Sequence, residues 1–174
     1  MGSSALAADG DLVSLQPEAG GGWRVDVGIF DTNRLTTTDS FLLSAQDPLG
    51  ELVASRCVVD ASTGLRVPVL AFRTYTDGTT ASYAVGVLDT EARSFVCWQS
   101  FPLSSAGPAE RVDVELCDGP VLCVLRSRGR GGPSDLTIAA CDDAHGSSSG
   151  TPRVHTAALP GDAKLLCACS ISGR

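Results

Sequence analysis

Lysine is almost missing from this chain: Lys164 is the only one among 13 basic residues, the others all being arginine. Charge of either sign is also thin, at 19% of 174 residues, below the roughly one quarter usual in globular domains. Acidic residues prevail, giving a net charge of −7, a balance that disfavours general attraction to phosphate and hence direct nucleic-acid binding. Histidine occurs twice, at His145 and His155, so a serine or cysteine hydrolase has few candidate bases. No stretch approaches the ~18 consecutive apolar residues of a membrane span. The start, "MGSSALAADGDLVSL", lacks the basic end and long apolar centre of a secretion signal. Nucleophile elbow, Walker loop and dinucleotide fingerprint are all missing, and no cofactor or metal is expected.

A helical period is missing too. No window sustains the 3.6-residue apolar repeat of an ordinary helix. What the chain does have is apolar material, 43% of residues, enough to build a core. That material falls in short alternating runs rich in β-branched residues. "ELVASRCVV" and "RVPVLAFRT" flank the turn "DASTG", where Gly64 is free to take positive φ. "ASYAVGVL" and "RSFVCWQSFPL" flank "DTEA" as the arms of a hairpin. "ERVDVELC" and "VLCVLRS" read as a strand pair around Asp118-Gly119-Pro120, and Asp9-Gly10 and Asp77-Gly78 are further turn signals. The expected class is all-β, with antiparallel sheets.

Four segments resemble one another: "GGWRVDVGIF", "TGLRVPVLAF", "PAERVDVELC" and "TPRVHTAALP". Their Arg-Val pairs begin at Arg24, Arg66, Arg111 and Arg153, spaced by 42, 45 and 42 residues. A period of about 40–45 residues is that of four-stranded propeller blades. Residues 1–174 are therefore expected to form a partial β-propeller of about four WD-like blades, a fragment of a larger propeller. Glycine-rich polar stretches at 126–134 and 142–152 read as flexible loops on its rim.

Seven cysteines, an odd count, with no secretion signal point to free thiols in the cytoplasm or nucleus. Cys117, Cys123, Cys167 and Cys169 are spaced C-x5-C and C-x-C, unlike the two-to-four-residue knuckles of structural zinc sites, so packing is the expected use. Asp142, Asp143 and His145 lie close together in "CDDAH", which reads as a short acidic loop rather than a cation or acid–base site. Arg126, Arg128 and Arg130 could hold phosphate, but they have no interleaved aromatics for base stacking and read as a solvated loop or interface. Trp98 and Phe101, in "FVCWQSF", are the other interface candidates. Simple alternation places Val96, Trp98 and Ser100 on one face of that strand and Phe95, Cys97, Gln99 and Phe101 on the other.

Residues 57 to 126 carry a wider pattern: a strand led by Cys57, a Thr63-Gly64 turn before an apolar strand containing Pro68, a hairpin ending in an aromatic-rich strand at Phe101, and a Gly119-Pro120 strand start. In this the chain resembles the N-terminal propeller region of the Fanconi anaemia group B family. The resemblance implies a nuclear, non-catalytic scaffold subunit of a ubiquitin-ligase assembly acting in DNA interstrand crosslink repair. It also implies two protein partners, a second propeller-bearing subunit and a RING-type ligase subunit. Two alternatives remain open: an unrelated propeller-type protein-interaction module, and a small β-rich hydrolase using His145 or His155.

Overall fold

The structure, a computed structural model, describes residues 4–8, 11–31, 34–45, 49–59, 63–75, 80–104, 111–117, 121–128, 132–140, 153–161 and 163–164. Among them it contains twelve strands, no helix, and three four-stranded antiparallel sheets. The first sheet is β1 (Ser4–Ala8), β2 (Asp11–Pro17), β3 (Trp23–Asp31) and β4 (Arg34–Leu42). The second is β5 (Glu51–Val59), β6 (Arg66–Tyr75), β7 (Thr80–Asp89) and β8 (Ser94–Ser104). The third is β9 (Arg111–Cys117), β10 (Val121–Ser127), β11 (Ser134–Ala140) and β12 (Arg153–Leu159). Within each sheet the spatial order is the chain order, so all three are simple up-and-down meanders.

The hairpins fall where turn residues and alternation place them. β5 and β6 pair from Glu51 opposite Arg73 to Val59 opposite Arg66, with Gly64 at φ 71° in the connection. β7 and β8 close at Asp89 opposite Ser94 around "TEAR", where the Asp89 carboxylate accepts from the Ala92 N–H at 2.8 Å. β9 and β10 pair from Arg111 opposite Ser127 to Cys117 opposite Val121. The three Asp-Gly steps, Pro120 and residues 142–152 lie outside the described residues.

Three expectations need correction. The Arg-Val marks do not recur at one place in the repeat: Arg24 lies in β3, Arg66 opens β6, Arg111 opens β9 and Arg153 opens β12. They are the third, second, first and fourth strands of their sheets, and two share one sheet. An arginine followed by a β-branched residue suits the start of any strand, so its spacing measures strands rather than sheets. The described residues form three units, starting at Ser4, Glu51 and Arg111, where about four were expected. The loop expected over 126–134 is also shorter, because β10 runs through Ser127 and β11 begins at Ser134. The opposed pair Arg126 and Asp135 carries the ladder two residues further, as opposite charges across strands do.

The three sheets stack face to face in chain order, and the second is the middle layer. The burial of β6 shows why. Val69, Leu70, Ala71 and Phe72 are successive and all essentially inaccessible, which requires both faces of the strand to be covered. Leu70 and Phe72 join Val13, Leu15, Trp23, Val25 and Phe41 of the first sheet in one core. Val69 and Ala71 join Leu116, Leu122, Val124 and Ala139 of the third sheet in a second. The first sheet ends the stack with a polar outer row, Ser14, Asp26 and Ser40, in which the Ser40 hydroxyl donates to the Asp26 carboxylate at 2.6 Å.

Candidate functional site

Across the second sheet, one row of directly opposed residues runs through all four strands: Glu51, Arg73, Tyr83 and Phe101. The row faces the third sheet. An Arg73 guanidinium nitrogen donates to the Glu51 carboxylate at 2.6 Å, and the same guanidinium stands over the Tyr75 ring at 5.2 Å. Burial opposes the charge on Arg73, but hydrogen bonding to Glu51 together with the interactions with Tyr75 and Tyr83 and the Glu51 charge outweighs it, and its pKa is raised. Tyr83 is inaccessible at 1% exposure. Burial pushes its phenol pKa up, while the hydrogen bond and charge of Arg73 pull the other way. Its ring stacks on Phe101, centroids 6.0 Å apart and planes 22° apart. A charged, half-open end at Glu51 thus passes into a closed aromatic end at Phe101.

A β-bulge decides how the residues of β8 are distributed. Gln99 opposes Val85, but the next residue of β7, Gly86, opposes Cys97, so Trp98 is the extra residue. The strand changes face there. Phe95 consequently points at the first sheet, where it meets Phe72 edge-on at 5.1 Å, while Phe101 points at the third. The expected sharing of one face by Phe95 and Phe101 is overturned by this inserted residue. A Cβ at Gly86 would overlap the Val96 carbonyl oxygen and stand 2.8 Å from the Cys97 Cα, so the bulge needs a residue without one.

The expected interface residues do not form one surface. Phe101 is a core residue at 3% exposure rather than a surface one. Trp98 is half-buried and packs against the core between the second and third sheets. Arg126 is half-buried on β10, on the strand face turned to the second sheet, and its charge acts on Tyr83. Arg128 is exposed and ion-paired to Asp135 at 2.8 Å. Arg130 lies outside the described residues, as do Asp142, Asp143, His145, Cys167 and Cys169. His155 is exposed on β12 opposite Ile138.

Two features escape a reading of the sequence. Cys117 and Cys123 meet on the outer face of the third sheet with sulfurs 3.7 Å apart. Their C-x5-C spacing across a tight hairpin is the signal that could have shown it, since it sets the two side chains diagonally on adjacent strands. Burial pushes the Cys117 thiol up to about 12, with Cys123 adding to the shift. Burial raises Cys123 also. Such thiols are protonated at neutral pH and serve packing rather than nucleophilic chemistry. Around them β10 presents Val121, Cys123 and Leu125 and β11 presents Leu136 and Ile138, while β9 sets Glu115 opposite Cys123 and Asp113 opposite Leu125. Among the described residues no group of three or more histidine, cysteine, aspartate or glutamate side chains is placed to hold a metal ion. No helix there is long and apolar enough to cross a membrane.

No protein-family model matches the chain, and no curated protein matches it.

Proposed function

We propose that the chain is a non-catalytic scaffold built of propeller-type blades, of the kind implied by its resemblance to the Fanconi anaemia group B family. Its three sheets are then successive blades of a partial propeller. The observation that carries the reading is the second sheet, a four-stranded meander buried on both faces by a meander before it and a meander after it. A blade with two apolar faces is stable only between neighbours. The first strands support the same reading, since β1 lies against β5 and β5 against β9, as inner strands around an axis would. After β12 the chain turns at Gly161, φ 73°, and the Ala163 carbonyl accepts from the Arg111 guanidinium on β9. By Ala163 it has come back beside β11, where the Ser134 hydroxyl accepts from the Ala163 N–H at 3.1 Å, the direction a path to a further blade would take.

Ile138 and Val154 of the third sheet are exposed, apolar area that a neighbouring blade or partner would cover. On the family reading the partners are a second propeller-bearing subunit and a RING-type ligase subunit, and the setting is the nucleus, in crosslink repair. Affinity purification of the tagged chain from nuclei, with mass spectrometry, tests this. Recovery of those two subunits is the expected result. Recovery of a different assembly would favour the unrelated propeller-type module instead. A monodisperse, partner-free monomer that binds no hydrophobic dye would overturn the scaffold reading altogether. The hydrolase alternative predicts stoichiometric labelling of one serine or cysteine by an active-site probe, and none is expected.

A further inference from the structure

The Cys117 and Cys123 sulfurs touch at 3.7 Å, and both side chains are buried, at 1% and 7% exposure. The ladder fixes where each stands: Cys117 is opposite Val121 and Cys123 is opposite Glu115. The two are therefore diagonal neighbours on one face of the β9–β10 hairpin. In a flat ladder such neighbours lie ~7–8 Å apart, at or beyond the reach of a disulfide. Strand twist draws one of the two diagonals inward, and the sulfur contact shows that this is the drawn-in pair. From 3.7 Å, a bond of ~2.05 Å needs a further approach of ~1.7 Å, a movement of the size that rotation about the two Cα–Cβ bonds makes.

Position in the hairpin decides how an oxidant reaches them. Closed, both thiols are held protonated by burial, so chemistry waits on opening. Cys117 is the last residue of β9, and Cys117 opposite Val121 is the last pair of the β9–β10 register. Opening of that one pair puts the thiol in water, where it ionises at its ordinary pKa. Leu116, one residue earlier, is anchored, its carbonyl accepting from the Arg56 guanidinium of β5 at 3.4 Å. Cys123 is held on both sides, since β10 pairs with β9 and with β11 at that position. Cys117 is the mobile partner and Cys123 the fixed one.

We propose that Cys117 and Cys123 are a redox-sensitive pair, oxidised to a reversible intrachain disulfide by a low-molecular-weight disulfide such as oxidised glutathione. The Cys117 thiolate of the opened pair attacks one sulfur of the small disulfide, forming a mixed disulfide and releasing one small thiol. As the strand end returns, Cys123 gives its proton to solvent and its sulfur attacks that of Cys117. The second small thiol leaves as a thiolate and takes up a proton. Two protein thiols lose two electrons and two protons, and one small disulfide becomes two thiols. Disulfides inside cells are commonly transient and redox-sensing. This one would close the end of β9 beside the Arg56 contact, so that redox state sets whether this corner of the third sheet opens. Only the β9–β10 hairpin takes part, so the three sheets need not be propeller blades.

The full 174-residue chain is equilibrated in buffers of graded reduced and oxidised glutathione, alkylated with N-ethylmaleimide in denaturant, digested with trypsin and weighed by mass spectrometry. Residues 112–126 form one tryptic peptide holding both cysteines, while Cys57 and Cys97 fall in others. Conversion of this peptide from a doubly alkylated form to an unalkylated form two hydrogens lighter is expected, with return on adding excess reduced glutathione. At one buffer ratio, the oxidised-to-reduced ratio of the pair is expected to be at least about tenfold higher in the folded chain than in urea, the mark of sulfurs brought together by the fold rather than by their spacing. Cys117→Ser removes the mobile thiol and is expected to leave Cys123 alkylated throughout. A pair that stays doubly alkylated in fully oxidised glutathione would overturn the proposal. So would a ratio in the folded chain no higher than in urea, a comparison on the wild-type sequence that holds even where Cys117→Ser fails to fold.

Discussion

Phe95 and Phe101 leave the same strand on opposite faces of the second sheet: Phe95 meets the Phe72 ring at 5.1 Å beside the first sheet, and Phe101 stacks on Tyr83 at 6.0 Å beside the third. Six residues apart, they would share a face in a regular strand. The extra residue at Trp98 separates them, so one strand supplies an aromatic anchor to each of two cores. The second sheet is thereby fastened on both sides by its last strand as well as by β6.

The two anchors are expected to act independently. In double-mutant cycles with leucine replacements, Phe72 with Phe95 and Tyr83 with Phe101 should each show coupling of about 0.5–1.5 kcal/mol, as aromatic pairs do. Phe95 with Phe101 should be additive to within about 0.5 kcal/mol, since they share no partner. Urea unfolding monitored by tryptophan fluorescence measures all three. A Phe95–Phe101 coupling as large as the other two would mean that the bulge does not divide the faces.

Gly86→Ala should be among the most damaging single-methyl additions in the chain. The new Cβ meets backbone, the Val96 carbonyl oxygen and the Cys97 Cα, neither of which can swing away like a side-chain tip. A loss of about 1–3 kcal/mol is expected from overpacking of this kind. Alanine at Gly20, where a Cβ meets nothing within 4 Å, is the matched control and should change stability by under about 0.5 kcal/mol. Equal midpoints for the two variants would remove the case for a steric requirement at Gly86.

How far the sequence reaches can be seen in these same residues. Alternation and turn chemistry locate β5 and β6 around Gly64, β7 and β8 around the tetrad after Asp89, and the β9–β10 pair, because each signal is local. The face of Phe101 is not legible from alternation, since one inserted residue inverts everything after it. A hint was present, for Gly86 is an isolated glycine inside "YAVGVL", and such glycines often mark a bulge. The Glu51–Arg73–Tyr83–Phe101 row leaves no trace in the sequence, because it exists only once three registers are fixed together. The Arg-Val spacing misleads for a physical reason: it marks where strands begin, and sheets of equal strand number need not be equal in length.

Arg73 should matter more than its ion-pair partner. Its side chain is 13% exposed against 43% for Glu51. Arg73→Met keeps the apolar stem but removes the guanidinium that donates to Glu51 and stands over the Tyr75 ring, and a loss of about 1–3 kcal/mol is expected for a part-buried, charge-assisted hydrogen bond and a cation–π contact. Glu51→Gln removes a charge from a largely solvated site and should cost at most about 1 kcal/mol. Chemical denaturation of the two variants at one ionic strength orders them. A greater loss for Glu51→Gln would locate the strength of the row at its open end instead.

Alkaline pH should unfold the chain through Cys117. Its thiol ionises at about 12 in the folded protein, against an ordinary value of 9.0, because burial beside Cys123 penalises the thiolate. A group whose folded pKa is raised favours folding while it stays protonated, so this contribution is complete below pH 9 and fades as the pH climbs toward 12. Between those limits the native state holds a proton that the unfolded chain has released, and stability falls by on the order of 1 kcal/mol per pH unit for each such thiol. Cys123 and Tyr83, also raised by burial, act in the same direction. Cys117→Ala should therefore lose packing stability at neutral pH yet show a shallower decline above pH 9 than the wild-type chain. Thermal unfolding at half-unit steps from pH 7 to pH 10.5, under reducing conditions, reads both slopes. Parallel slopes would show that the Cys117 thiol ionises as readily in the folded chain as in the unfolded one, and that this corner of the third sheet is open to water.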